Sequence, residues 1–129
     1  MEPVANKQAE DRLMLEWMRL FEKLPQESMT AYVDRYLGRL LAMKPVRACD
    51  KPTLKERNER RQREELLLTL ETLIACDGQI NELAAKMFIH RNTAAYRIEK
   101  LEKLLGMPLK QTESLLRLKL AFIFKALLH

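Results

Sequence analysis

The sequence predicts an all-α fold, a helix-turn-helix bundle preceded by an N-terminal helical pair. Three observations carry that reading. Only 3 Gly and 5 Pro interrupt 129 residues, and the chain is rich in the helix formers Leu, Glu, Lys and Arg. Its apolar residues recur at helical rather than strand spacing. One stretch, residues 81–106 (NELAAKMFIHRNTAAYRIEKLEKLLG), reads as a short helix, a tight turn at Phe88-Ile89-His90 and a longer second helix.

In that stretch Ala84 and Ala85 sit where one helix must let another come close, and Met87 and Ile89 bracket the turn with apolar anchors. Ala94, Ile98, Leu101 and Leu105 repeat at i, i+4, i+7 and i+11, so one stripe of the second helix is buried and the other side is offered outward. This is the layout of a helix-turn-helix of the homeodomain-like or Fis-like kind, whose second helix enters a DNA groove.

The elements before it follow in order. Residues 1–9 read as a frayed start. From about Glu10 a helical stripe of Leu13, Met14, Trp17, Leu20, Phe21 and Leu24 ends before Pro25, with Trp17 as a packing residue. Ser28 is placed to cap a second helix with Met29, Tyr32, Val33, Tyr36, Leu37, Leu40 and Leu41 on its apolar side. Residues 44–62, with Pro45, Pro52 and many charges, read as a linker whose second half is already helical from Leu54. The cluster of Arg57, Arg60, Arg61 and Arg63 could touch phosphate. The interspersed Glu56, Glu59, Glu64 and Glu65 favour the plainer reading of a solvated, self-neutralised helix.

A third helix runs from about Arg63 to Cys76 with Leu66, Leu67, Leu70, Leu73 and Ile74 inward, and Asp77-Gly78 ends it. Asn81 is a good N-cap for the next helix. Gly106 and Pro108 end the recognition helix, about 90–105. A last helix starts near Thr112 and is apolar on more than one face: Leu115, Leu116, Leu118, Leu120, Phe122, Ile123, Phe124, Leu127 and Leu128. One face closes the core. The second needs the N-terminal helices or another subunit, which leads us to expect a homodimer. The organisation expected is therefore an N-terminal helical segment over 1–43 (for dimerisation, or the remnant of an upstream domain), a charged linker over 44–62 and a DNA-binding domain over 63–129.

A net charge of +5 tilts the expectation toward a polyanionic partner without defining a site. Cys49 and Cys76 lack metal or redox spacing and are expected to be reduced. The N-terminus has no apolar core of a signal peptide, and no apolar run is long enough to cross a membrane. A soluble, cytoplasmic protein is expected, with no membrane partner. No Gly-rich phosphate loop, HExxH, paired Cys/His spacing or nucleophile elbow occurs, and the chain has 2 histidines. No enzyme, metal or cofactor is therefore expected.

The candidate site is the front of the second helix. His90 takes the N-cap position, with Arg91, Asn92 and Thr93 in the first turn, where this fold meets base edges. Arg can bond guanine and Asn adenine in bidentate fashion, and Thr93 can meet phosphate or a thymine methyl. Arg97 and Lys100 are expected along the sugar-phosphate backbone. Tyr96 is open between a phosphate-contacting hydroxyl and a ring packed under the turn. The rival reading is a helical protein–protein adaptor without DNA binding. Such an adaptor would favour apolar or acidic residues at this end, where the chain has Arg91, Asn92, Thr93 and Arg97.

The run Phe88-Ile89-His90-Arg91-Asn92-Thr93-Ala94-Ala95-Tyr96-Arg97-Ile98 resembles the HRNT-x-x-YR signature of the PucR-type helix-turn-helix. That domain ends the purine-catabolism and sugar-diacid (CdaR-like) transcriptional regulators of bacteria. The resemblance covers about 65–127, including the inward leucines, Asp77-Gly78, Asn81, Ala84 and Leu104-Leu105-Gly106. Residues 32–38 (YVDRYLG) are more faintly similar to the end of the region preceding this domain in the family. The resemblance implies sequence-specific double-stranded DNA binding, usually as dimers or larger assemblies, under an N-terminal sensor. Ala94 departs from the large aliphatic residue usual in the family, Ala95 from a basic or polar one, and the 44–62 connector is long. No room remains for a sensing domain, so we expect a fragment of a longer regulator, or a short member that is constitutively active or partner-controlled.

Overall fold

The computed structural model describes residues 12, 15–42 and 54–128. The readings for residues 1–9, Leu13, Met14, Cys49 and the proline-containing half of the connector lie outside those residues. Six helical segments are described: α1 (15–21), α2 (Gln26–Leu41), α3 (Leu54–Ala75), α4 (Ile80–Met87), α5 (Arg91–Leu105) and α6 (Thr112–Leu127). No strand occurs among the described residues.

The core follows the helical stripes. Met29, Val33, Leu37 and Leu40 of α2 are buried, as are Leu66, Leu70 and Leu73 of α3 and Leu83 and Ala84 of α4. Ala94, Ile98 and Leu101 of α5 and Leu118, Ala121, Ile123 and Phe124 of α6 complete it. α5 lies against α2, α3 and α4, while α2 packs most extensively along α6. Thr69 is fully buried on the α3 stripe. Its hydroxyl can sit there because it donates to the Glu65 carbonyl one turn back, at 2.7 Å, leaving no unmet hydrogen bond.

Much of the second apolar face of α6 is covered inside the chain, although Leu116 stays 47% exposed. Tyr32 stacks edge-on against Phe124 with ring centroids 5.1 Å apart, and its hydroxyl donates to the Arg117 carbonyl. Burial is the largest influence on that phenol and pushes its pKa up, with Tyr36 adding to the effect. Phe21 of α1 meets Phe124 from another side at 5.2 Å. Of the stripe expected on α1, Trp17 and Phe21 are half-buried, whereas Leu20 (71% exposed) and Leu24 face solvent. Lys119 of α6 lies over the Trp17 ring.

Helix ends depart from the sequence reading in instructive ways. α2 starts at Gln26 behind Pro25, not behind Ser28; the Pro25 carbonyl accepts from the Ser28 and Met29 amides. α4 starts at Ile80 behind Gln79, so Asn81 is inside the helix rather than its cap. Ala84 is buried as the close approach requires, but Ala85 is exposed. α3 extends back to Leu54 without a break, so 54–62 form its first turns. Arg60 there pairs with Glu64 at 3.1 Å, which fits the self-neutralised reading of that run.

Three helices close through left-handed residues. Gly106 (φ +70) ends α5, its amide donating to the Glu102 carbonyl. After α3 the left-handed position just past the helix falls to Asp77 (φ 55), followed by Gly78 (φ 81). The amides of Asp77 and Gly78 reach back to the Ile74 and Leu73 carbonyls, the two-bond closure of a Schellman motif. After α4 the same position is held by Phe88 (φ 56), with Phe88 and Ile89 donating to the Ala85 and Ala84 carbonyls. A phenylalanine in that conformation is strained by about 1–2 kcal/mol. Its ring is 94% exposed, so core packing does not compensate.

Two stability predictions follow from this packing. Leu101→Ala empties a fully buried position on α5 and should cost about 2–5 kcal/mol in urea unfolding. Phe88→Gly should raise stability by about 0.5–1 kcal/mol in the same assay, the relief of left-handed strain exceeding the backbone entropy glycine adds. A loss of stability there would mean that the ring packs in solution.

Candidate nucleic-acid interface

The front of α5 is built by its cap. His90 is extended (φ −69, ψ 148), and its Nδ1 accepts a hydrogen bond from the Asn92 amide at 3.0 Å. Accepting at Nδ1 requires that nitrogen to be unprotonated, so the neutral ring carries its proton on Nε2. The backbone ladder begins with the Ala94 amide donating to the His90 carbonyl. Arg91, Asn92 and Thr93 are thereby fixed as the first three helical residues, and all three are exposed.

The buried stripe then dictates which residues face outward. At about 100° per residue, Asn92 and Tyr96 fall nearly opposite Ala94, with Thr93, Ala95 and Lys100 to either side. Tyr96 is 63% exposed, so its ring is not packed under the turn. Lys100 is half-buried. Arg97 falls only about 60° from Ala94 and lies in the seam with α3. Its side chain is 21% exposed, with Nη2 3.9 Å from Glu65 Oε2, a long and largely screened pair. The structure thus brings together His90, Arg91, Asn92, Thr93 and Tyr96 at one end of α5, places Lys100 a turn further along, and turns Arg97 toward α3.

The first turn of α5 holds no acidic residue. The first carboxylate along the helix is Glu99, which lies 3.5 Å from Lys103, and Glu102 turns away to accept the Leu109 amide at 2.9 Å. The outward surface is therefore donor-rich at its N-terminal end and charge-balanced beyond. Two residues of this region were not anticipated as part of it. Phe88 projects its ring into solvent from the turn just before His90. Asn81 Oδ1 accepts a hydrogen bond from Arg91 Nε at 3.0 Å, tying the start of α4 to the start of α5. The residue types at both positions were legible; an exposed aromatic in a strained turn and a contact across ten residues were not.

Other chemistry is sparse. A surface cavity of about 210 Å³ is lined by Arg35, Tyr36, Arg39, Leu105 and Gly106. It sits at the far end of α5, roughly 20 Å along the axis from Arg91. Cys76 is a buried free thiol whose pKa is pushed up chiefly by that burial. No group of His, Cys, Asp and Glu suited to a metal occurs among the described residues. No described helix is long and apolar enough to cross a membrane.

Comparison with known proteins agrees with this geometry. Residues 66–124 match the PucR C-terminal helix-turn-helix domain, a span that runs from the first buried leucine of α3 to Phe124 of α6. The chain is also similar to the purine catabolism regulatory protein of Bacillus subtilis (strain 168), at 36% identity over 107 residues. That alignment covers 77% of this chain and 20% of the relative, so the chain spans about a fifth of that protein's length. With only five residues after 124, a match this long also takes in residues before 66. No solved structure gives a significant match. The matched domain is that of a family of transcriptional regulators, and over α3 to α6 this chain carries a helix-turn-helix of the PucR type.

Proposed function

We propose that the domain binds double-stranded DNA sequence-specifically, with the N-terminal turns of α5 in the major groove. The observation that carries this reading is the outward face of α5. Arg91, Asn92, Thr93 and Tyr96 are all exposed and precede the first carboxylate of the helix. A groove lined by phosphates and base-edge acceptors demands that arrangement, and only the end of a helix reaches its floor. Arg91 and Asn92 are the base-reading residues. Thr93 and the free amides of the first turn take a phosphate beside them. Lys100, about 13 Å further along the axis, meets the backbone where the helix leaves the groove. Arg97 joins it only by exchanging Glu65 for phosphate, an exchange favoured because its pair with Glu65 is long and half in solvent.

The protein acts as a homodimer in this reading. Because α2 and Phe21 cover much of the second face of α6, we assign the contact to the N-terminal helices, where Leu15, Leu20 and Leu24 are exposed. Action on chromosomal DNA places it in the cytoplasm. An adaptor role has one observation in its favour, the exposed rings of Phe88 and Tyr96, but these rings flank a cationic helix front with no carboxylate. Selection of bound sequences from a random duplex pool, at stated salt, decides between the two: an adaptor enriches none.

Against the selected duplex, Arg91→Ala should cost about 1–3 kcal/mol and relax preference at one base pair. Lys100→Ala should weaken all duplexes alike and reduce the slope of log affinity against log salt by about one. Retention of wild-type affinity and preference by Arg91→Ala would refute the base contact. Sedimentation at tens of micromolar should show a dimer that Leu20→Glu dissociates; a wild-type monomer would remove that part of the reading.

A further inference from the structure

We propose that Asn81, outside the recognition helix, is a positioning residue that sets which edge of the Arg91 guanidinium is presented to DNA. The inference rests on the reading of Arg91 as a base contact. Arg91 and Asn81 are both exposed and lie ten residues apart, on either side of the helix-turn-helix turn. Their 3.0 Å bond joins Arg91 Nε to Asn81 Oδ1. Arginine has no acceptor, so the oxygen of the Asn81 amide must face it, and chemistry alone settles the orientation of that amide.

A guanidinium can meet an acceptor pair through its Nε–Nη edge or through its Nη1–Nη2 edge. With Nε–H engaged by Asn81, the second edge is the one left for a base. The bond also holds a long, flexible side chain at the first helical position in one orientation before any duplex arrives, which lowers the ordering that binding must impose. Asn81 can do this because α4 begins at Ile80. On the second residue of the helix its side chain is not needed as the cap and is available to α5. Among the described residues it is the side-chain hydrogen bond that joins the front ends of α4 and α5.

The test measures base preference rather than affinity alone, on the intact chain. With the wild type and Arg91→Ala first compared on the selected duplex and on its single-base variants, Asn81→Ala is expected to lower preference at the Arg91-dependent base pair by about three- to tenfold. That is the scale of one charge-assisted hydrogen bond at an exposed site. Its melting temperature and salt slope should stay at wild-type values. Asn81→Asp, which keeps an acceptor oxygen, should retain the preference even where its charge lowers affinity for every duplex. In the Arg91→Ala background, Asn81→Ala should change nothing further. If Arg91→Ala itself leaves preference intact, the base-contact reading fails and this inference with it. If Arg91→Ala relaxes preference but Asn81→Ala does not, or if Asn81→Ala still relaxes it without Arg91, the positioning role alone is overturned.

Discussion

Burial of one stripe of α5 is the constraint from which the rest of the domain follows. Ala94, Ile98 and Leu101 are buried, and a helix is a rigid cylinder, so sealing that stripe against α2, α3 and α4 leaves no freedom in what the opposite side displays. The other helices can be understood as what holds the stripe down. α4 approaches close enough only because Ala84 is small, and α3 supplies Leu66, Leu70 and Leu73 beneath it. α2 and α6, clasped together through Tyr32, Phe21 and Phe124, close the far side. Ala94, where α5 starts, is fully buried. The front of α5 is thus anchored by the burial of Ala94 and by the His90 cap.

Much of this was legible in the sequence because it is periodic. The stripes of α2, α3 and α5, the start of α6 at Thr112 and the closure at Gly106 are local patterns, each with a local physical cause. His90 as a cap was legible for the same reason. What escaped was non-local. Ser28 and Asn81 have the composition of caps, but a proline with fixed φ starts α2, and the Asn81 amide is drawn off by an arginine ten residues away. Propensity would put glycine, not Phe88, at a left-handed position. The demand of the fold that α4 stop there overrides it. Tyr96 could be placed outward only by its 63% exposure in the fold, and Arg97 in the α3 seam only once Glu65 was known to face it. The second apolar face of α6 pointed equally to the N-terminal helices or to another subunit, since amphipathicity states that a face needs cover without naming the cover.

Because the stripe fixes orientation, the residues that stabilise the domain and those proposed to read DNA are nearly disjoint. Arg91, Asn92, Thr93 and Tyr96 are all exposed, so substituting them should alter the proposed DNA contact with little effect on folding. Arg97 is the exception. Its stem fills the α3–α5 seam while its charge lies 3.9 Å from Glu65, so it belongs to both sets. At that distance and exposure the pair adds little to stability. A phosphate, with full charge and shorter approach, competes for the guanidinium on favourable terms.

That division also explains why a strained turn is tolerable beside the site. Three features concentrate in the few residues joining α4 to α5: the left-handed Phe88, the buried-side anchors Met87 and Ile89, and the capping ring of His90. Phe88 and His90 fix backbone direction, while Met87 and Ile89 pack against the core. A flexible glycine at Phe88 would ease the strain but would also widen the range of angles at which α5 leaves α4. Base readout depends on placing hydrogen-bond donors to within a fraction of an ångström, so a stiff junction serves recognition even where it costs stability. The Asn81–Arg91 bond spans that same junction from the outside. Under the proposed DNA reading, the left-handed Phe88 and the bond at Arg91 act together, both holding the front of α5 in one orientation before a duplex arrives.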